Sequence, residues 1–154
     1  MSEENDLKKE DDLPIEDTEN DLDDPDEETE EPLEDGEHET IDDEGILLEK
    51  YTMKNGKIEG EFLGFNEEGW VSERVQYKNG VKEGETLIYE AKDQLSEKMM
   101  YQNGQLHGES ITYGEEGKLE SKSHYKDGVL HGESISYNEE GKLESKSHYK
   151  DGVL

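Results

Sequence analysis

From Gly45 onward, short runs of alternating apolar and polar residues follow one another, beginning with GILLEKYT (45–52). A period of two puts successive side chains on opposite faces of an extended strand. The runs are punctuated at a fixed interval. Asn55-Gly56, Asn79-Gly80, Asn103-Gly104, Asp127-Gly128 and Asp151-Gly152 recur with one constant spacing, which defines a 24-residue unit. Such dipeptides suit type I′ hairpin turns, which need positive φ at both central positions, so Gly56, Gly80, Gly104 and Gly128 are structural turn residues. A second set of connectors falls between them: NEEG (66–69), EAKD (90–93), GEEG (114–117) and NEEG (138–141). Four-residue hairpin loops closed by a left-handed residue are expected there, with Asp93 standing in for Gly. Each 24-residue unit is then two strands and two turns, as in Leu106–Tyr113 and Lys118–Tyr125.

Counting outward from both kinds of turn gives one register. It places Tyr125 opposite Leu130, His124 opposite His131, and Glu133 opposite a lysine on either side. Extended, it predicts a row of alternating charge with one residue per strand: Lys50, Glu61, Arg74, Glu85, Lys98, Glu109, Lys122, Glu133 and Lys146. Opposite charges directly across an antiparallel pair stabilise it, and a one-residue slip would move them to the wrong face. The row starts the sheet near Gly45. The same face carries Leu63, Leu87, Ile111 and Ile135, then Phe65, Tyr89, Tyr113 and Tyr137, with Trp70 joining in the first repeat. The other face carries Tyr77, Tyr101, Tyr125 and Tyr149, with Gly60, Gly84, Gly108 and Gly132 beside them as flat seats for the rings. Neither face is apolar enough to demand a second layer. The expected fold is all-β: a single extended, twisted antiparallel sheet of stacked 24-residue hairpins.

Charge divides the chain further. Residues 1–50 hold three Lys against 25 acidic residues and all three prolines, whereas the rest holds 13 Lys and Arg against 20 acidic residues. So acidic a segment, without aromatics or apolar period, cannot bury enough surface to offset the entropy of ordering. A disordered acidic tail is expected over 1–42, and a repeat domain over 43–154. The domain comprises a half repeat (43–52), repeats 53–76, 77–100, 101–124 and 125–148, and a partial repeat (149–154). The acidic run from Asp21 fails as a calcium loop, because Pro25 and Asp26 occupy the places of a ligand and of the required Gly. The net charge of −29 argues against nucleic acid and anionic membrane as direct ligands. The absence of cysteine and of an apolar leader fits a cytoplasmic protein.

YKNGVKEGETLIY (77–89), YQNGQLHGESITYGEEGKL (101–119) and YKDGVLHGESISYNEEGKL (125–143) resemble the MORN-repeat variant of bacterial YwqK-type proteins. The shared pattern is Tyr, a turn Asn/Asp-Gly, Gly-Glu four residues on, then Tyr and a Gly-closed loop. Met53 for Tyr and Asp93 for Gly depart from it. The resemblance covers about residues 43–154. It implies stacked hairpins and a scaffolding, antitoxin-component or membrane-associated role, without enzymatic chemistry.

Candidate chemistry is sparse. The expected register lines up His107, His124, His131 and His148 as weak metal candidates, or as a row whose neighbouring imidazoles disfavour protonation and destabilise the sheet in mild acid. Ser123 and His124 point to opposite faces, and neither a triad nor a cofactor fingerprint is present, so no catalytic residue, cofactor or enzymatic activity is expected. A protein partner is expected on the tyrosines Tyr77, Tyr101 and Tyr125 or on Tyr89, Tyr113 and Tyr137. EEGKLESKSHYKDGVL occurs at 115–130 and again at 139–154, a shifted copy of one unit that indicates duplication. Its second copy stops just past a turn, so either a fragment of a longer array or a truncated copy with an open edge at Lys142–Tyr149 is expected, with self-association through that edge.

Overall fold

The computed structural model describes residues 33–154, and the part of the expected disordered tail at 1–32 lies outside them. The described chain forms one antiparallel sheet of 11 strands. They are β1 (Gly36–Ile41), β2 (Leu47–Lys54), β3 (Lys57–Ile58), β4 (Gly60–Phe65), β5 (Val71–Lys78), β6 (Val81–Ala91), β7 (Gln94–Gln102), β8 (Gln105–Tyr113), β9 (Leu119–Lys126), β10 (Val129–Tyr137) and β11 (Leu143–Tyr149). Sequence neighbours are sheet neighbours throughout, except that β3 and β4 both lie along β2. One 3-10 turn, Glu115–Gly117, fills a connector.

The turn chemistry is as the sequence predicts. Asn79 and Gly80 have φ of 52° and 79°, Asp127 and Gly128 have 50° and 83°, and the other three dipeptides match. Each tight turn also grips the unit before it. The Gly80 N–H donates to the Ile58 carbonyl at 2.9 Å, Gly104 to Lys82 at 2.9 Å, Gly128 to Leu106 at 2.9 Å and Gly152 to Leu130 at 2.8 Å. The long connectors close on themselves: the Asn66 side-chain oxygen accepts from the Glu68 and Trp70 N–H groups, and Asn138 repeats this with Glu140 and Lys142. The connector at 90–93 differs from the expected four-residue loop. Ala91 pairs with Gln94, leaving a two-residue turn with Asp93 at φ 61°.

Two expectations need correction. The sheet starts at Gly36 rather than near Gly45, because β1 pairs with β2 from Gly36 opposite Met53 to Ile41 opposite Leu47. Residues 36–41 therefore belong to the sheet and not to a tail ending at 42. Their backbone groups join the β2 ladder, and His38 stacks on Tyr51, which offsets the ordering cost that composition alone predicts would win. The signal was present: Gly36-Glu37 lies one repeat period before Gly60-Glu61.

The second correction concerns register. Near each tight turn the expected pairs hold, with Tyr77 opposite Lys82 and Tyr101 opposite Leu106. Beyond it three residues oppose one. Val75 pairs with Thr86, so Glu83-Gly84-Glu85 face Gln76 alone. Gly84 takes φ 96° at this bulge, and Gly108 and Gly132 take 104° and 106° at its copies. Other L-residues rarely enter that region. The slip is two residues, an even number, so every side chain keeps its face while changing its partner.

Burial is concentrated early. Val75 on β5 and its partner Thr86 on β6 are each only 1% exposed, flanked in register by Phe62 and Met99. The Thr86 hydroxyl, Oγ1, is buried without a hydrogen-bond partner.

Candidate binding surface

The register defines two faces. On the charged face, Leu63 pairs with Arg74, Arg74 with Leu87, Leu87 with Lys98, Lys98 with Ile111, Ile111 with Lys122, Lys122 with Ile135 and Ile135 with Lys146. The central row therefore alternates cation and aliphatic side chain. The expected row of directly opposed charges is corrected on both ladders of each strand: the glycine bulges shift the pairing beyond the tight turns, and register shifts beside the long connectors leave the acids two residues away, reaching their partners diagonally. Arg74 Nε is 3.4 Å from Glu61, and Lys98, Lys122 and Lys146 are each 2.5 Å from Glu85, Glu109 and Glu133. Lys50 binds Glu39 on β1 at 2.9 Å, a directly opposed pair that the sequence reading missed.

These bonds hold the ammonium groups in their charged form. The hydrogen bond to Glu39 raises the Lys50 pKa above its ordinary value, and bonds to Glu85 and Glu109 do so for Lys98 and Lys122. Every such bond spans a long connector. Across the tight turn, Glu109 acts on Lys98 and Glu133 on Lys122 through charge alone. Tyr113 and Tyr137 add to the field at Lys98 and Lys122, so the tyrosines of this face stand among its cations. Phe65, Trp70 and Tyr89, with Val71, Arg74 and Lys92, line an open recess of about 400 Å³ at the long-connector rim. The Trp70 indole N–H donates to Glu68 at 3.1 Å.

On the tyrosine face, Gly60, Gly84, Gly108 and Gly132 stand directly opposite Tyr77, Tyr101, Tyr125 and Tyr149, as the ring-seat reading expects. Burial raises the Tyr77 pKa, with Glu73 and Tyr101 adding to the effect. The Lys82 ammonium lies 5.3 Å from the centre of the Tyr101 ring. That is within cation–π range. One row runs across ten strands of this face: His38, Tyr51, Phe62, Val75, Thr86, Met99, Ser110, Ser123, Ser134 and Ser147. Its early members stack, with ring centres 5.6 Å apart for His38 and Tyr51 and 5.8 Å for Tyr51 and Phe62. Two of its late members hydrogen-bond, the Ser123 and Ser134 hydroxyls lying 2.8 Å apart. The six candidate tyrosines thus divide between the faces: Tyr77, Tyr101 and Tyr125 on one, Tyr89, Tyr113 and Tyr137 on the other.

The histidine row is also corrected. His124 pairs with Glu109 and His148 with Glu133. His107 and His131 turn their Nδ1 atoms to Asp127 and Asp151 of the next tight turn, each at 3.2 Å. The register shifts break the expected line: His107 and His131 contact aspartates, and His124 and His148 stand across the ladder from glutamates where a row of imidazoles was expected. Among the described residues, no three His, Asp or Glu side chains are arranged to hold a metal ion. Among the same residues, no helix is long and apolar enough to cross a membrane.

The family described as MORN repeat variant matches residues 58–79, 106–127 and 130–151. No curated protein matches the chain. Each matched segment begins two residues before one of the glycines that face a tyrosine (Gly60, Gly108, Gly132) and ends in a tight turn, so the match follows the structural unit seen in the sheet: the chain carries MORN-variant repeats at these three places.

Proposed function

We propose that this protein is a non-enzymatic repeat scaffold that holds a protein partner against its extended sheet. The observation that carries this reading is the single layer. Among the described residues nothing packs over either face, and only Val75 and Thr86 are buried among the larger side chains. Tyrosine, arginine and tryptophan, the types enriched at interface hot spots, occur together on the charged face, with the tyrosines at a fixed spacing. Ser123 bonds Ser134 and His124 faces Glu109, so this neighbouring Ser–His pair is not arranged as nucleophile and base, which favours binding over catalysis. The narrower form of the proposal is an antitoxin, with a toxin as the partner sequestered on the sheet. The absence of cysteine suits a cytoplasmic setting.

The test is affinity capture from the source cells with the full chain and with a Tyr89→Lys, Tyr113→Lys, Tyr137→Lys variant of unchanged melting temperature. A partner that is retained by the wild type and reduced at least tenfold by the variant is expected. Equal recovery by both would move the interface off the charged face. Growth arrest by the captured protein, relieved on co-expression, identifies the antitoxin form.

A further inference from the structure

The tight turns are capped from the preceding unit in two chemically distinct ways. In the earlier pair the cap is a glutamate and the turn residue an asparagine. The Asn79 N–H donates to Glu59 Oε2 at 2.7 Å, and the Asn103 N–H to Glu83 Oε2 at 2.7 Å. In the later pair both residues change together. His107 takes the place of the glutamate where Asp127 takes that of the asparagine, and His131 does so with Asp151. The backbone N–H to Nδ1 distance is then 3.4 Å, while the same Nδ1 lies 3.2 Å from the aspartate carboxylate. So long a contact is a far weaker cap than the glutamate provides.

A glutamate cap is an acceptor throughout the neutral range. A histidine cap is not, because its charge changes between pH 5 and 8. Without a proton on Nδ1, its lone pair faces both the turn N–H and a carboxylate oxygen, and only the first of these contacts is favourable. As an imidazolium it donates from Nδ1 to the carboxylate, and this bond is charge-assisted. We propose that His107–Asp127 and His131–Asp151 form a proton-operated clamp that tightens the later tight turns in mild acid, while the glutamate-capped turns stay indifferent to pH.

The surroundings of the two rings differ. Register places Lys126 of β9 across from His107, with uncharged Met100 on the β7 side. It places Lys150 across from His131, whose other neighbour, His124 of β9, faces Glu109. Each aspartate oxygen is already at hydrogen-bond distance from its imidazole. Acid therefore strengthens these turns, the reverse of what a row of facing imidazoles would do.

The experiment compares the full wild-type chain with a variant that carries the earlier caps at the later turns: His107→Glu with Asp127→Asn, and His131→Glu with Asp151→Asn. Both share the acidic N-terminal region, so its titration cancels in the difference. Between pH 7.5 and pH 5.5 the wild-type melting temperature is expected to gain roughly 2–4 °C relative to the swapped variant. An equal change, or a wild type that loses ground, overturns the proposal. Nitrogen NMR of the histidine rings in the wild type gives a readout that needs no variant. Protons on Nδ1 of both rings, bonded to carboxylate at pH 5.5, support the clamp, and bare Nδ1 atoms overturn it.

Discussion

The early and late parts of the sheet share one backbone and differ in what lies upon it. Across β1 to β7, the central row of the tyrosine face reads His38, Tyr51, Phe62, Val75, Thr86, Met99, and over β8 to β11 it reads Ser110, Ser123, Ser134, Ser147. The early members stack and bury one another. Of the late ones, Ser123 and Ser134 hydrogen-bond through their hydroxyls. The backbone grip of the tight turns at Gly80, Gly104, Gly128 and Gly152 on the preceding unit is nonetheless the same along the sheet, at 2.8–2.9 Å. The turns and ladders thus specify the repeat geometry without a core, and side-chain burial adds stability only where the row is apolar. In a repeat array, stability is approximately a sum over units and their interfaces, so it should be graded along the chain.

The sharpest way to break this comparison is to place a charge at equivalent positions of the row. Val75→Asp buries an unpaired carboxylate and should cost roughly 4 kcal/mol or more, whereas Ser123→Asp on the same row should cost about 1 kcal/mol. Denaturant unfolding of both variants measures the contrast, and similar losses would show that the late strands depend on their row as much as the early ones do. A smaller effect of opposite sign is expected at Thr86, whose hydroxyl is buried and unpartnered. Thr86→Val should be a gain of about 1 kcal/mol, read as a rise in melting temperature.

The mildest expected effect is in alkali. Hydrogen bonds to glutamate raise the pKa of Lys98 and Lys122, and burial raises that of Tyr77, so the folded chain keeps these protons longer than the unfolded chain does. Their contribution is complete below the ordinary values of 10.0 for tyrosine and 10.5 for lysine, and is lost as pH rises through the higher folded values. Melting temperatures should therefore fall between pH 9.5 and pH 11.5. In Tyr77→Phe the fall should be shallower, and a slope unchanged from wild type would remove Tyr77 from the account.

Much of this surface is legible in the chain. Asn-Gly and Asp-Gly at a constant spacing state where the chain reverses, because positive φ is a local property of those residues. Alternation then assigns Tyr77 and Tyr101 to one face and Tyr89 and Tyr113 to the other, as found. The placement of β1 was less visible: Gly36-Glu37 keeps the repeat spacing, but the acidic residues around it read as a tail.

The partners of individual side chains are a different matter. A bulge at Gly84, Gly108 or Gly132 shifts the pairing by two residues, and an even shift leaves the hydrophobic pattern unchanged, so the pattern carries no record of it. Whether Glu85 faces Arg74 or reaches diagonally to Lys98 is fixed only when neighbouring strands close their ladders. The same holds for whether His131 lies in a row of imidazoles or against Asp151. Local chemistry along the chain sets turns and faces, while the way each strand closes its ladder against its neighbours decides which charges meet.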